Sequence, residues 1–172
     1  MKKWLFFISL LLIFVIWQAS YIYMESIGGL KKEEQDAISY AKKHTNLIQA
    51  TDVEYYHGSS AYYIVYGRSK YNEDLIVWVP ASEDGELLTR LVNQGWKKEK
   101  VRSHVMESQN PLEIIDIRLG AEVMKDNRTE KTEIIPLWEV TYIDQQNRYT
   151  YYFIKFIDGS FVKRYSLKKD RF

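Results

Sequence analysis

The residues able to do chemistry in this 172-residue chain are few in kind and scattered in position. Three histidines are present, and cysteine is absent. Thiolate metal sites, disulfide staples and a cysteine nucleophile are therefore excluded together. His44 closes an amphipathic stretch, where a cation beside the last helical carbonyls is a structural preference. His57 precedes the turn at Gly58, and His104 sits among polar neighbours. The three do not cluster in sequence, which argues against a shared metal site. Carboxylates pair up at Glu33-Glu34, Glu73-Asp74 and Glu83-Asp84, but each pair is adjacent in sequence and reads as solvated surface. A glycosidase needs two carboxylates aimed across a cleft about 5 to 9 Å apart, which sequence alone cannot display. His-Glu-x-x-His, Gly-x-Ser-x-Gly and the phosphate-binding Gly-x-x-x-x-Gly-Lys are all missing. The expectation is a protein that binds and does not turn over: no catalytic residue, no cofactor and no metal.

The aromatic side chains carry more information. Aromatic content is 15%, with 14 Tyr and 5 Trp, which favours pleated, half-buried surfaces and hence a sheet-rich chain. Along Ala61 to Tyr66, alternation puts Tyr62, Ile64 and Tyr66 on one face and Tyr63 and Val65 on the other. Along Tyr149 to Phe156, Tyr149, Tyr151 and Phe153 oppose Tyr152, Ile154 and Phe156. Both faces of each strand are apolar. One face must pack on a helix, and the second either fills an interface between domains or meets a partner, sugar or peptide. On the second reading, Tyr62, Tyr66, Trp78, Trp138, Tyr151 and Phe153 are the candidate partner-binding residues.

Charge adds a weaker hint. The net charge of +1 gives no sign of nucleic-acid binding. Residues 31–95 carry 7 basic and 10 acidic side chains and residues 96–172 carry 15 and 12, so the halves are oppositely charged. Chance composition and separate partners for the two halves both account for this.

Elements that position these residues follow from periodicity. Trp4 to Met24 is an uncharged run, dense in Leu, Ile and Phe, preceded by Lys2-Lys3 and followed by Glu25. As a helix it would span about 31 Å, a bilayer's hydrocarbon thickness. The lysines would keep the N-terminus in the cytoplasm and place the rest outside. A cleaved secretory signal is the competing reading. Bulky Trp17, Tyr21 and Ile22 around Ala19-Ser20 make a poor cleavage site, so an uncleaved anchor is expected. Gly28-Gly29 reads as a flexible joint. Lys31 to His44 is predicted helical, with Ala37, Ile38 and Ala41 on one face. A second helix is predicted from Trp96 to Ser108, ended by Asn110-Pro111.

Strands are predicted at Val53 to His57, Ala61 to Arg68, Leu75 to Val79 and Glu86 to Val92, and again at Glu113 to Val123, Leu137 to Ile143, Tyr149 to Ile157 and Ser160 to Ser166. Gly58-Ser59-Ser60, Ser82 to Gly85, Gln145-Gln146-Asn147 and Asp158-Gly159 are turn chemistry. Asn127 to Glu133 is predicted to be an exposed loop or extended hairpin.

The halves align on each other. Ala61 to Val65 falls on Pro136 to Val140, Leu75 to Val79 on Thr150 to Ile154, and Asp84 to Arg90 on Asp158 to Arg164. The chain is thus an α+β protein with an internal duplication, each unit one helix on an antiparallel sheet of about four strands. Residues 1–28 form the cytoplasmic start and anchor, 29–95 the first domain and 96–172 the second.

Leu137-Trp138-Glu139-Val140-Thr141-Tyr142 and Asp158-Gly159-Ser160-Phe161-Val162-Lys163-Arg164-Tyr165-Ser166, with the duplication and the anchor, resemble the TseB-like (YpmB) family of bacilli and their relatives. The resemblance covers essentially the whole chain. Its single motifs also mark the broader PepSY group, and the combination is what is specific. It implies an anchored tandem of two PepSY-like domains with the cystatin-like fold, outside the membrane of a Gram-positive cell. It also implies regulation of cell-wall elongation through association with a penicillin-binding transpeptidase. A binder of peptidoglycan ligands, or a PepSY-type protease inhibitor, is the alternative from another class. The Gln-x-Val-x-Gly inhibitory loop of cystatins is absent, and fold does not carry function.

Overall fold

Runs such as Tyr62-Tyr63-Ile64-Val65 and Leu75-Ile76-Val77-Trp78-Val79 combine β-branched and aromatic residues without a polar break, the mark of strands covered on both faces. The computed structural model describes residues 2–82, 85–125 and 132–168, with side chains at 2–3, 5–7, 9, 19, 22–28, 125 and 132 left out. Helix α1 (Lys2–His44) is followed by β1 (Leu47–His57), β2 (Ala61–Ser69), β3 (Asp74–Pro80) and β4 (Leu88–Leu91). A short 3-10 turn (Val92–Gln94) leads into helix α2 (Lys98–Gln109). Then come β5 (Glu113–Lys125), β6 (Thr132–Ile143), β7 (Arg148–Lys155) and β8 (Phe161–Lys168). Each set of four makes an antiparallel meander, in the orders β1-β2-β3-β4 and β5-β6-β7-β8. The expected pattern of a helix and four strands, twice over, is present.

Strand lengths depart from expectation at both ends. β1 begins six residues earlier than the alternation from Val53 implies, because its pairing with β2 is interrupted between Leu47 and Gln49 and between Ala50 and Asp52. Such irregularities break the period of two on which the sequence reading depends. β6 likewise begins at Thr132, five residues before Leu137, paired with the far end of β5. Of the exposed loop or extended hairpin predicted at 127–133, Thr132 and Glu133 follow the hairpin alternative, paired with Lys125 and Met124, while residues 127–131 lie outside the described residues. Glu83 and Asp84 of the predicted Ser82 to Gly85 turn lie outside them too.

The Gly28-Gly29 joint is corrected: α1 runs through both glycines. Glycine costs a helix about 1 kcal/mol each, without removing a hydrogen bond as proline does, so neighbouring turns carry the ladder across. Among the described residues, no helix is long and apolar enough to cross a membrane.

Residues 1–36 and 37–172 form two compact units. Within the second, Ala37 and Ala41 of α1 are buried against Tyr63, Val65, Leu75, Val77 and Val79, the odd-numbered face of β2 and β3. The even-numbered face, Tyr62, Ile64, Ile76 and Trp78, joins a second core with Val101 and Val105 of α2, with Ile117, Leu119, Trp138, Val140, Tyr142, Tyr152 and Ile154 of the second sheet, and with Phe156 just after β7. Both sheets thus contribute to one continuous set of buried side chains. The Trp78 indole N–H donates to the Gly120 carbonyl at 2.9 Å, and the Trp138 indole N–H to that of Trp96 at 3.0 Å. Asn110, at φ 44°, ends α2 in the left-handed conformation, which asparagine tolerates better than most residues. Gly159, at φ +69°, makes the Asp158-Gly159 turn, and any side chain there would meet the Trp96 ring.

Candidate functional site

Alternation along β5 and β6 puts Arg118, Gly120 and Glu122 opposite Glu139, Leu137 and Ile135, on the face of the second sheet turned away from α2 and the shared core. On β7 and β8 the same face continues through Tyr151, Phe153, Lys163 and Tyr165. The β1–β2 hairpin of the first sheet closes one side with Tyr56, His57, Gly58 and Ser59, leaving a pocket of about 320 Å³.

Tyr56 reaches into this face because two glycines make room for it. A Cβ on Gly120 would lie 2.4 Å from its ring and one on Gly58 would lie 2.6 Å from its hydroxyl. The Arg118 guanidinium stands 5.7 Å from the ring centroid, a cation–π distance. Arg118 donates through Nε and Nη2 to Glu139 Oε1, at 3.3 and 2.7 Å. Lys163 Nζ lies 2.5 Å from Glu122 Oε2 and 4.7 Å from the Phe153 ring centroid.

Charge is layered here. The Glu139 and Glu122 side chains are 5% and 9% exposed, whereas Arg118 and Lys163 are 41% and 42% exposed. Carboxylates form the floor and cations the mouth. Glu122 Oε2 has the ionic contact with Lys163 but no aligned hydrogen bond. The Tyr56 hydroxyl faces Glu139: burial first, and then the charge of Glu139 and a hydrogen bond to its carboxylate, push the Tyr56 pKa well above the ordinary tyrosine value. Beside the charges stands an aromatic wall, with Tyr151 stacked on Tyr165 at 5.0 Å and Phe153 on Tyr165 at 5.7 Å.

The six aromatic residues singled out from the sequence separate into two groups. Tyr62, Trp78 and Trp138 lie in the shared core, at 2%, 0% and 7% exposure. Tyr66 is half-buried beside that core and its hydroxyl donates to Glu54 at 3.3 Å. Tyr151 and Phe153 line the pocket. Sequence reasoning did not single out Tyr56, Arg118, Glu122, Glu139, Lys163 or Tyr165. Arg118 and Glu139 are 21 residues apart, and only strand pairing brings them together. One usable signal was present: alternation in β6 places Glu139 between Leu137 and Thr141 on a strand whose other face is Trp138, Val140 and Tyr142.

The histidines do not converge. His44 Nδ1 is 2.9 Å from the Tyr40 carbonyl at the end of α1, His57 lies at the pocket edge, and His104 packs edge-on against Trp96. Among the described residues no group of His, Cys, Asp and Glu could hold a metal ion.

Two helix-bearing antiparallel meanders sharing a core, with a charged and aromatic pocket on the free sheet face, define an α+β protein of repeated plan. Residues 36–80 match the model of the cell wall elongation regulator TseB-like domain. The chain is 27% identical over 142 residues, 83% of its own length and 82% of the relative's, to the probable cell wall elongation regulator TseB of Bacillus subtilis (strain 168). It is also similar to the solved structure of the YpmB protein from Bacillus subtilis, with a TM-score of 0.68 and 27% identity, over 77% of this chain and 96% of that one. The resemblance expected from the sequence is thus found again, by the family model over residues 36–80 and by a 27% identical relative over most of the chain.

Proposed function

We propose that this protein is a non-enzymatic regulator of cell-wall elongation, held at the outer face of the cytoplasmic membrane and acting by association with a penicillin-binding transpeptidase. Residues from Trp4 to Met24 would be the anchor, with Lys2-Lys3 inside and the sheets outside, as their charge pattern supports. The observation that carries the reading is the pairing within the pocket. Each carboxylate is neutralised by a cation on another strand, Glu139 by Arg118 and Glu122 by Lys163. General acid–base catalysis requires a carboxyl free to exchange a proton with substrate, whereas paired charges beside stacked rings suit recognition. Likeness to a relative named as a probable cell wall elongation regulator supports the biological setting.

Crosslinking in intact cells, followed by purification of the full chain through a C-terminal tag, should recover a penicillin-binding transpeptidase. Arg118→Glu should reduce that recovery if the pocket face is the contact. Recovery of no such enzyme from the membrane fraction, with the chain abundant there, would refute the association.

A further inference from the structure

We propose that the pocket on the free face of the second sheet binds the terminal carboxylate of a short peptide, with an adjoining apolar side chain laid along the Tyr151–Tyr165 wall. An incoming molecule meets the polar groups of this pocket in two layers. Acceptors are in the floor, on nearly buried Glu122 and Glu139, and donors are at the mouth, on Arg118 and Lys163. Glu139 engages the Nε and Nη2 groups of Arg118. The remaining guanidinium hydrogens and the outward hydrogens of the Lys163 ammonium are unclaimed by any hydrogen bond among the described residues. A donor-rich rim over a negative floor recruits an anion, and the floor fixes the cations in place beforehand.

Three features narrow the class of anion. The two carboxylates and two cations of the pocket cancel, which suits a singly charged carboxylate better than a doubly charged phosphate. The forked guanidinium matches a planar carboxylate. Tyr165, at 47% exposure, offers a ring face to an apolar body attached to the acid, and about 320 Å³ accommodates a few residues at most.

N-acetyl-alanyl-phenylalanine titrated against the full chain in detergent micelles should shift the backbone amide signals of Gly58 and Gly120, which flank Tyr56. The C-terminal amide of the same dipeptide should bind at least about tenfold more weakly. Lys163→Gln should weaken the acid without unfolding the chain. Arg118→Gln combined with Glu139→Gln removes both members of one pair and should abolish the shifts. Should that double variant fail to fold, Lys163→Gln carries the test alone. Equal binding of acid and amide, equal binding of inorganic phosphate, or no shift at Gly58 and Gly120 would each overturn the assignment. Because no transpeptidase enters the experiment, its failure is separable from failure of the association proposed above.

Discussion

The two sheets have the same order of strands but different surroundings. The first is covered on both faces, by Ala37 and Ala41 of α1 on one side and by the shared core on the other. The second has α2 and the shared core on one face only, and its other face carries Arg118, Glu122, Glu139, Lys163 and the stacked tyrosines. β3, Asp74–Pro80, is accordingly buried at five consecutive positions from Leu75 to Val79. β7 and β8 keep partly open positions at Tyr151, Lys163 and Tyr165. One sheet is thus framework on both faces, and the other leaves a face uncovered.

That difference can be broken most severely in the framework. Trp78→Ala removes a fully buried ring and its hydrogen bond to Gly120, and should cost about 3 to 5 kcal/mol in chemical denaturation. Because the ring belongs to the core that both sheets share, near-ultraviolet and far-ultraviolet signals should be lost in a single transition. Separate transitions for the two sheets would contradict a common core. Tyr165→Ala, on the open face, should cost well under half as much.

A smaller effect is expected where the first sheet reaches over the second. Gly120→Ala places a methyl group 2.4 Å from the Tyr56 ring, and the ring has to move. A loss of about 1 to 3 kcal/mol is expected from overpacking, together with altered fluorescence of Trp78, whose indole binds the Gly120 carbonyl. An unchanged melting temperature would show that Tyr56 is not held in the notch.

The smallest effect concerns the β6–β7 turn, on the second sheet alone. Burial tends to raise the Asp144 pKa, but hydrogen bonds from the Arg148 side chain and backbone and from the Gln146 backbone outweigh it and hold the group at about 2. The folded value is below the ordinary 3.8. Its stabilising contribution is therefore complete above that ordinary value and is lost as pH falls toward about 2. Asp144→Asn should flatten the acid limb of stability between those values, with little change near neutrality beyond the loss of the Arg148 pairing. An acid limb of the same steepness in the variant would remove Asp144 from the account.

Local pattern made much of this architecture legible. Unbroken runs of Tyr, Ile, Val and Trp announce covered strands, Asp158-Gly159 and Gln145-Gln146-Asn147 announce their turns, and Asn110-Pro111 announces the end of α2. Such signals depend on residues close together in the chain. Where the backbone departs from a simple period, as at the irregular start of β1, they fail by several residues. Gly28-Gly29 failed for a different reason: a low propensity at two residues is only a weak prior against a helix that continues on both sides.

The amino-acid sequence alone determined the class of fold, its duplication and the absence of any cysteine chemistry, because composition, period and repeat are properties of a line of residues. Tertiary structure decided which aromatic residues are framework and which are accessible. Tyr62, Trp78 and Tyr151 look alike in an alternating pattern, and their burial differs because only one face of one sheet is left uncovered. It also decided the pocket, since Arg118 meets Glu139 across paired strands and Lys163 of β8 meets Glu122 of β5 only because one sheet holds both strands. Coulombic and hydrogen-bond energies depend on separation in space, and separation along the chain carries no record of it.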